Sequence, residues 1–376
     1  MPIRVLYYFQ EMGTPMFQWQ RVHLIDELKR HGCEIEVFNP LLYDSVSLAN
    51  ERLLERIDRG GIDLFFTNVC YHKMLFVDTL KYIKLKGIPT LSLRCDNLIV
   101  PYSDKVLAPY FDLVWLTSKE TQPLYDSWNV KSFFAPYAAN PFTFKYISKP
   151  INRKAVFIGT PYGSRAKMIN ALANGGVRID VFGGKSPITS QTSSIQLDTK
   201  YDIIKPSKIT TLVNWTRFYE GRQVIKGRIV NIFAQHDSID DHPNIERYYA
   251  VNPSALSEYY SEYSLSLAST STNHTDVLNS PLKIINLRNF EIPMSGGVEI
   301  CKYNSELADY FEEGKEILFY RTDEELVDKA RYYTLKATDS EILNIKKSAR
   351  FRAENEHTWW KRFCVAFEML GIKYLM

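Results

Sequence analysis

Between residues 3 and 137 short apolar runs alternate with helical periodicity, and the runs are continuous rather than alternating. "IRVLYYF" (3–9), "EIEVFNP" (34–40), "IDLFFTNV" (62–69), "IPTLSLR" (88–94), "FDLVWLT" (111–117) and "SFFAPY" (132–137) read as strands. Helical spacing over 17–32, stopping at Gly32, and over 75–87 separates some of them. Continuous apolar strands joined by helices imply a parallel sheet covered on both faces, because a strand with one wet face alternates polar and apolar residues. The fold class is α/β.

At "YISKPINRK" (146–154) the rhythm pauses in a polar stretch with Pro150, which reads as an interdomain linker. It then restarts: strand 155–160, helix 164–176, strand 177–184. A restart of this kind predicts a second Rossmann-like unit, and 376 residues are too many for one typical core. The Ser/Thr-rich stretch 185–208 reads as a loop or insertion. Residues 209–233 are mostly helical by apolar spacing, although Gly221 and Gly227 oppose a helix. Further on, "SLSLAST" (264–270) and "EILFY" (316–320) read as strands, and 323–335 and 358–375 as helices with one apolar face.

A net charge of +3 does not announce a nucleic-acid partner. The five cysteines (33, 70, 95, 301, 364) lack the close spacing of a zinc site, and their odd number argues against a disulfide framework. A reducing, cytoplasmic compartment fits. No signal-peptide core opens the chain and no apolar stretch is long enough to span a bilayer, so any membrane contact is expected to be peripheral.

Glycines between a strand and a helix point to phosphate chemistry, because bare backbone N–H groups at a helix N-terminus attract anions. Gly13, in "EMGTP", follows the first strand, but one glycine is not the three-glycine dinucleotide fingerprint, and an ordinary turn explains it equally well. "GTPYGSRAK" (159–167) carries Gly159, Tyr162 and Arg165 at the start of the second unit. A cation at a helix start opposes the helix dipole, and an anionic ligand removes that conflict. Gly183, in "FGGK", either admits a ligand or makes a turn. In "RNFEIPMSGG" a helix over about 282–295 places Arg288 one turn before Glu291. The two either pair with each other, or Arg288 faces phosphate while Glu291 accepts hydrogen bonds from ribose hydroxyls. Gly296, Gly297 and Asn252 complete the candidate nucleotide-sugar set.

"FIGTPYGSR", "LRNFEIPMSGG", "FEEGKEILFYRTDEELVDKARYY" and "ENEHTWWKR" together resemble the spore-maturation-protein (CgeB-like) glycosyltransferases over about 154–365. The resemblance implies the GT-B architecture, two facing Rossmann-like domains with the donor site in a central cleft. On it, residues 1–148 form the acceptor-side domain, 149–354 the nucleotide-sugar domain, and 355–376 a helix packing across both. "FEIPMSGG" is also similar to the glutamate-containing turn of the large retaining GT-B families. That match puts Glu291 on the ribose and Gly296 in the turn, and it puts Arg165 on the donor diphosphate. Those families carry a second glutamate eight residues earlier, where this chain has Lys283, so the stereochemical outcome stays open.

Transfer of the sugar leaves negative charge on the diphosphate, which Arg165, Arg288 and backbone N–H groups are placed to stabilise. The sequence holds no Asp-x-Asp pair suited to Mg²⁺, so transfer without metal or other cofactor is expected. On the acceptor side Asp96 is the candidate base, His72 a candidate contact to the donor sugar or leaving phosphate, and Glu11 a third candidate. The expected donor is UDP or another nucleoside diphosphate bearing a sugar. The expected acceptor is a glycan or lipid-linked glycan, as in surface-polysaccharide (O-antigen or capsule) synthesis. A nucleotide-sugar epimerase or hydrolase, or a non-catalytic carbohydrate-binding protein, is the alternative on the same scaffold.

Overall fold

The computed structural model describes residues 2–13, 15–183, 198–233, 238–272 and 274–374. The chain divides into two compact units: Met1–Pro136 with Ser194–Gly221 and Trp359–Met376, and Tyr137–Ser193 with Arg222–Thr358.

The first unit is built on a six-stranded parallel sheet. Its strands are β1 (Arg4–Tyr8), β2 (Glu34–Phe38), β3 (Leu64–Thr67), β4 (Thr90–Arg94), β5 (Leu113–Leu116) and β6 (Ser132–Phe134), in the order β2-β1-β3-β4-β5-β6. Apart from the edge strands β2 and β6, which are partly open, these strands are almost wholly buried, as continuous apolar runs require. Helices supply the cover. The first lies two residues earlier than its spacing suggested: it begins at Pro15, relaxes into a π turn over Arg21–Ile25 and ends at Arg30, with Gly32 taking the left-handed conformation (φ +81°). The helix Val46–Asp58 was not read from the sequence. It is capped by Ser45, whose side chain accepts from Leu48 N at 3.1 Å, and its Asn50 ties the chain around Met74 and Phe76. The final helix, Trp359–Leu370, lays Trp359 and Phe363 against Trp115, with ring centroids 5.7 and 5.3 Å apart.

The second unit holds another six-stranded parallel sheet. Its strands are β7 (Asn152–Ile158), β8 (Ile179–Phe182), β9 (Ile245–Tyr248), β10 (Tyr263–Leu267), β11 (Glu299–Lys302) and β12 (Leu318–Tyr320), in the order β12-β11-β10-β7-β8-β9. Strand order reverses between β7 and β10, so the loops after these two strands flank the topological switch point where open α/β sheets bind ligands. Three expectations need correction. The linker is shorter than 146–154, because Asn152 to Lys154 already belong to β7. β9 and the 18-residue helix Asp339–Glu356 went unread; the latter opens on a capping box between Thr338 and Glu341. The helix expected over 282–295 starts only at Arg288. Residues before it are held extended, with Ile284 N donating to Thr270 O at 2.7 Å and Asn286 Nδ2 to Ser269 O at 2.9 Å.

Gly221 and Gly227 do sit inside a helix, Tyr219–Phe233. Contact explains them: a β-carbon at Gly221 would stand 2.6 Å from Trp215 Cα, and one at Gly227 2.9 Å from His274 O. Most of the expected 185–208 excursion lies outside the described residues. Its end, 198–207, is irregular and fastens to the first unit through Lys200 N to Leu41 O (2.8 Å) and the Tyr201 hydroxyl to Pro40 O (2.9 Å).

Candidate functional site

In the second unit Gly159, Tyr162, Arg165, Gly183 and Arg288 come together at the carboxyl edge of the sheet, whereas Gly296 and Gly297 lie at the far end of the helix Arg288–Met294, where the chain enters β11. β7 ends at Ile158 and the chain turns through Gly159 and Gly163 into the helix Ser164–Asn174. Gly159 (φ +140°) and Gly163 (φ +57°) adopt conformations that side chains rarely tolerate. Space forbids a side chain as well. A β-carbon at Gly159 would stand 3.0 Å from Arg288 Cζ, and one at Gly183 (φ +95°) 2.8 Å from Gly159 O. Gly159 and Gly183 therefore pack backbone on backbone and leave the guanidinium of Arg288 lying on the turn.

Arg165 stands at the helix start, over the ring of Tyr162 (4.4 Å), and donates to Thr160 O at 3.1 Å. Burial is the main reason its pKa is pushed down. Tyr162 and Asp276 oppose that shift, and the like charge of Arg288 adds to it. Two guanidiniums held together repel, so the arrangement favours an anion between them. The charge of Arg288 also acts on the buried hydroxyl of Tyr260, opposing the rise in pKa that burial causes there.

Glu291 is 8% exposed, one turn into the helix Arg288–Met294. The turn that follows has a local explanation. Gly296 (φ +69°) donates to Pro293 O and Gly297 to Ile292 O, both at 2.9 Å, the paired bonds of a Schellman motif. Gly297 in addition has no room for a side chain beside Ile292 Cγ2 (2.8 Å). These glycines end the helix and turn the chain into β11. Asn252 acts as a cap, its Oδ1 accepting from Ser254 N at 3.1 Å. Lys283 is exposed, with Nζ 5.7 Å from the Tyr303 ring.

Two residues of this edge were missed. His274, in the left-handed conformation (φ +59°), lies 5.5 Å from the Tyr162 ring, and its Nδ1 and the Asp276 carboxylate both stand 3.5–3.6 Å from where a Gly163 side chain would begin. The signal was available: "TSTNHTD" follows β10, whose loop must flank the switch point.

In the first unit Gly13, His72 and Asp96 follow β1, β3 and β4, which are neighbours in the sheet, so all three lie at its carboxyl edge. Gly13 is in a bend. His72 is half-buried, edge-on to Tyr71 at 5.0 Å. Asp96 is exposed and left-handed (φ +54°), a conformation uncommon outside glycine and found at functional turns. Glu11 is tied in an ion pair to Arg21, whose Nη2 donates to it at 2.5 Å.

The chain is similar in fold to several solved structures. They include sucrose-phosphate synthase from Thermosynechococcus elongatus (12% identity, 99% of this chain and 100% of that one, TM-score 0.54). Anabaena HepE, solved in complex with UDP and glucose, matches at 10% identity over 98% and 99% of the two chains (TM-score 0.56). A UDP-forming trehalose-phosphate synthase from Burkholderia xenovorans matches at 10% identity over 97% and 100% (TM-score 0.57). At these identities the likeness concerns the fold, which is GT-B. No curated protein matches in sequence. The sequence does match the family described as "Glycosyl transferase-like" over residues 165–366. That stretch covers more than half of the chain and holds Arg165, Arg288, Glu291 and the Gly296–Gly297 turn, so the chain belongs to this family of glycosyltransferases.

Proposed function

We propose that the protein transfers a sugar from a nucleoside-diphosphate donor, UDP being the foremost candidate, to a glycan or lipid-linked glycan in surface-polysaccharide synthesis. The observation that supports this most is the pair of guanidiniums, Arg165 and Arg288, held against the glycine turn after β7. The neighbours solved with UDP point to the same donor class. In this reading the diphosphate is held by the two arginines and by the N–H groups that open the helix Ser164–Asn174. Tyr162 fixes Arg165 from below and Glu291 accepts from the ribose hydroxyls. As the anomeric bond lengthens, charge grows on the leaving phosphate, and the arginines meet it without needing a metal ion. The carboxyl edge of the first unit takes the acceptor, with Asp96 as base and His72 contacting the donor sugar or leaving phosphate.

A thermal-shift screen of nucleoside diphosphates tests the reading. A ligand binding only the folded state adds about 2.7 kcal/mol at a hundred times its dissociation constant. UDP should raise the melting temperature. Glu291→Ala should weaken UDP while leaving inorganic pyrophosphate unaffected. No shift with any nucleoside diphosphate refutes the proposal.

A further inference from the structure

The helix Lys208–Trp215 is inverted. A helix on a soluble domain turns its apolar stripe inward. Here Thr211, Asn214 and Trp215 face the first unit, lining a groove with Ile99 to Ser103, and the Trp215 indole donates to Ile99 O at 2.8 Å. Phe218 continues the inward face, 5.5 Å from the Tyr102 ring. The outward face carries Ile209, Leu212 and Val213, 78%, 50% and 47% exposed. Their spacing of i, i+3, i+4 makes them one continuous stripe. Ser207 caps the helix, accepting from Thr210 N at 3.1 Å, so the stripe is presented on an ordered element. Val100, on the facing side of the groove, and Tyr219, just beyond the helix, are also exposed.

Charge identifies the occupant. Lys205, Lys208 and Arg217 flank the stripe, and the acids of this stretch, Asp202 and Glu220, stand at its two ends. All three cations are exposed, and Lys105 stands exposed nearby, its Nζ 6.0 Å from the Trp128 ring that packs beside Tyr102. A protein interface draws its energy from aromatic anchors turned toward the partner. Here Trp215 and Phe218 are turned inward, and Tyr219 is the exposed ring beside the stripe. An aliphatic stripe flanked by cations suits a bilayer interface, where buried apolar area and attraction to anionic headgroups add. We propose that this helix seats the first unit on an anionic lipid surface, with Ile209, Leu212 and Val213 entering the acyl boundary and Lys205, Lys208 and Arg217 at headgroup level. Such seating would hold the enzyme where a lipid-linked acceptor lies, and in that respect it rests on the acceptor proposed above.

Vesicle co-sedimentation of the full chain tests this. Phosphatidylcholine–phosphatidylglycerol vesicles should bind the protein, with a partition that falls as salt rises, and pure phosphatidylcholine should bind it far less. The triple change Ile209→Ser, Leu212→Ser, Val213→Ser should reduce partition at least tenfold. Each of Lys205→Ala and Lys208→Ala should reduce it roughly fivefold. UDP binding and melting temperature should not change, which separates failure here from failure of the donor reading. Should the triple variant not fold, the lysine variants decide. Binding that is equal on the two vesicle types, or unaltered in the variants, overturns the proposal. So does a wild-type dimer that the triple variant abolishes, which would make a second copy the occupant.

Discussion

Gly159→Ala is a perturbation whose consequences divide between fold and ligand. The new β-carbon would stand 3.0 Å from Arg288 Cζ and closer still to its Nη2. The obstacle is the far end of a flexible side chain, so the fold escapes the clash by letting Arg288 swing away. What the fold cannot escape is φ +140°, which for a side-chain-bearing residue costs about 1–3 kcal/mol. In a unit of this size that lowers the melting temperature by roughly 2–12 °C. The displaced guanidinium no longer reaches the diphosphate. A hydrogen bond to a charged group contributes about 1.5–3 kcal/mol, so UDP affinity should fall roughly 10- to 150-fold. Titration calorimetry on Gly159→Ala, Arg288→Ala and the double variant reads this directly. If both changes act through one guanidinium, the double variant loses little more affinity than either single one. Wild-type affinity in Gly159→Ala, or two losses that simply add, refutes the reasoning.

Arg165→Ala should lower turnover by roughly 10²–10³-fold, because its charge is needed most as the leaving phosphate develops its own; unchanged kcat removes it from the chemistry. Glu299, buried on β11, has its pKa pushed up to about 8 by burial, against the hydrogen bond from Asn289 (2.6 Å). The folded state therefore favours the neutral acid: this stability is present below the ordinary carboxyl value of 4.5 and is lost as pH rises through 8. Denaturation curves of Glu299→Gln should lack that decline, so its advantage over wild type grows between those pH values; parallel curves contradict it. Gly221→Ala should destabilise by about 1–3 kcal/mol in urea, because the obstacle at Trp215 is backbone. The usual gain of about 1 kcal/mol from removing a helical glycine would show that the close approach does not matter.

The parallel sheets were legible because burial on both faces writes itself into contiguous sequence. Strands β1, β3, β4, β5 and β8 all fall within the runs read as strands, and β7 and β10 do so from Ala155 and Ser264 onward. β9 was not: Ile245–Tyr248 is an edge strand, half-exposed, and carries Glu246 and Arg247. The late start of the helix at Arg288 is set by backbone bonds to the loop after β10, partners some fourteen residues away that no local periodicity records. The same holds at the site. Arg165 and Glu291 announced themselves by residue type beside glycine, whereas the contact of Arg288 with Gly159, and the place of His274 and Asp276, exist only once β7 and β10 lie side by side. Glycines 296 and 297 read from the sequence as part of the nucleotide-sugar set; their hydrogen bonds to Pro293 O and Ile292 O show a helix cap, which the sequence pattern of that motif also encodes.

The most direct test of the account is a crystal structure of the full chain with UDP. The account predicts the diphosphate between Arg165 and Arg288, over Gly159 and the first N–H groups of the helix Ser164–Asn174, with the ribose hydroxyls on Glu291. UDP bound at the carboxyl edge of the first unit, or a second unit whose two arginines do not touch the nucleotide, would contradict it.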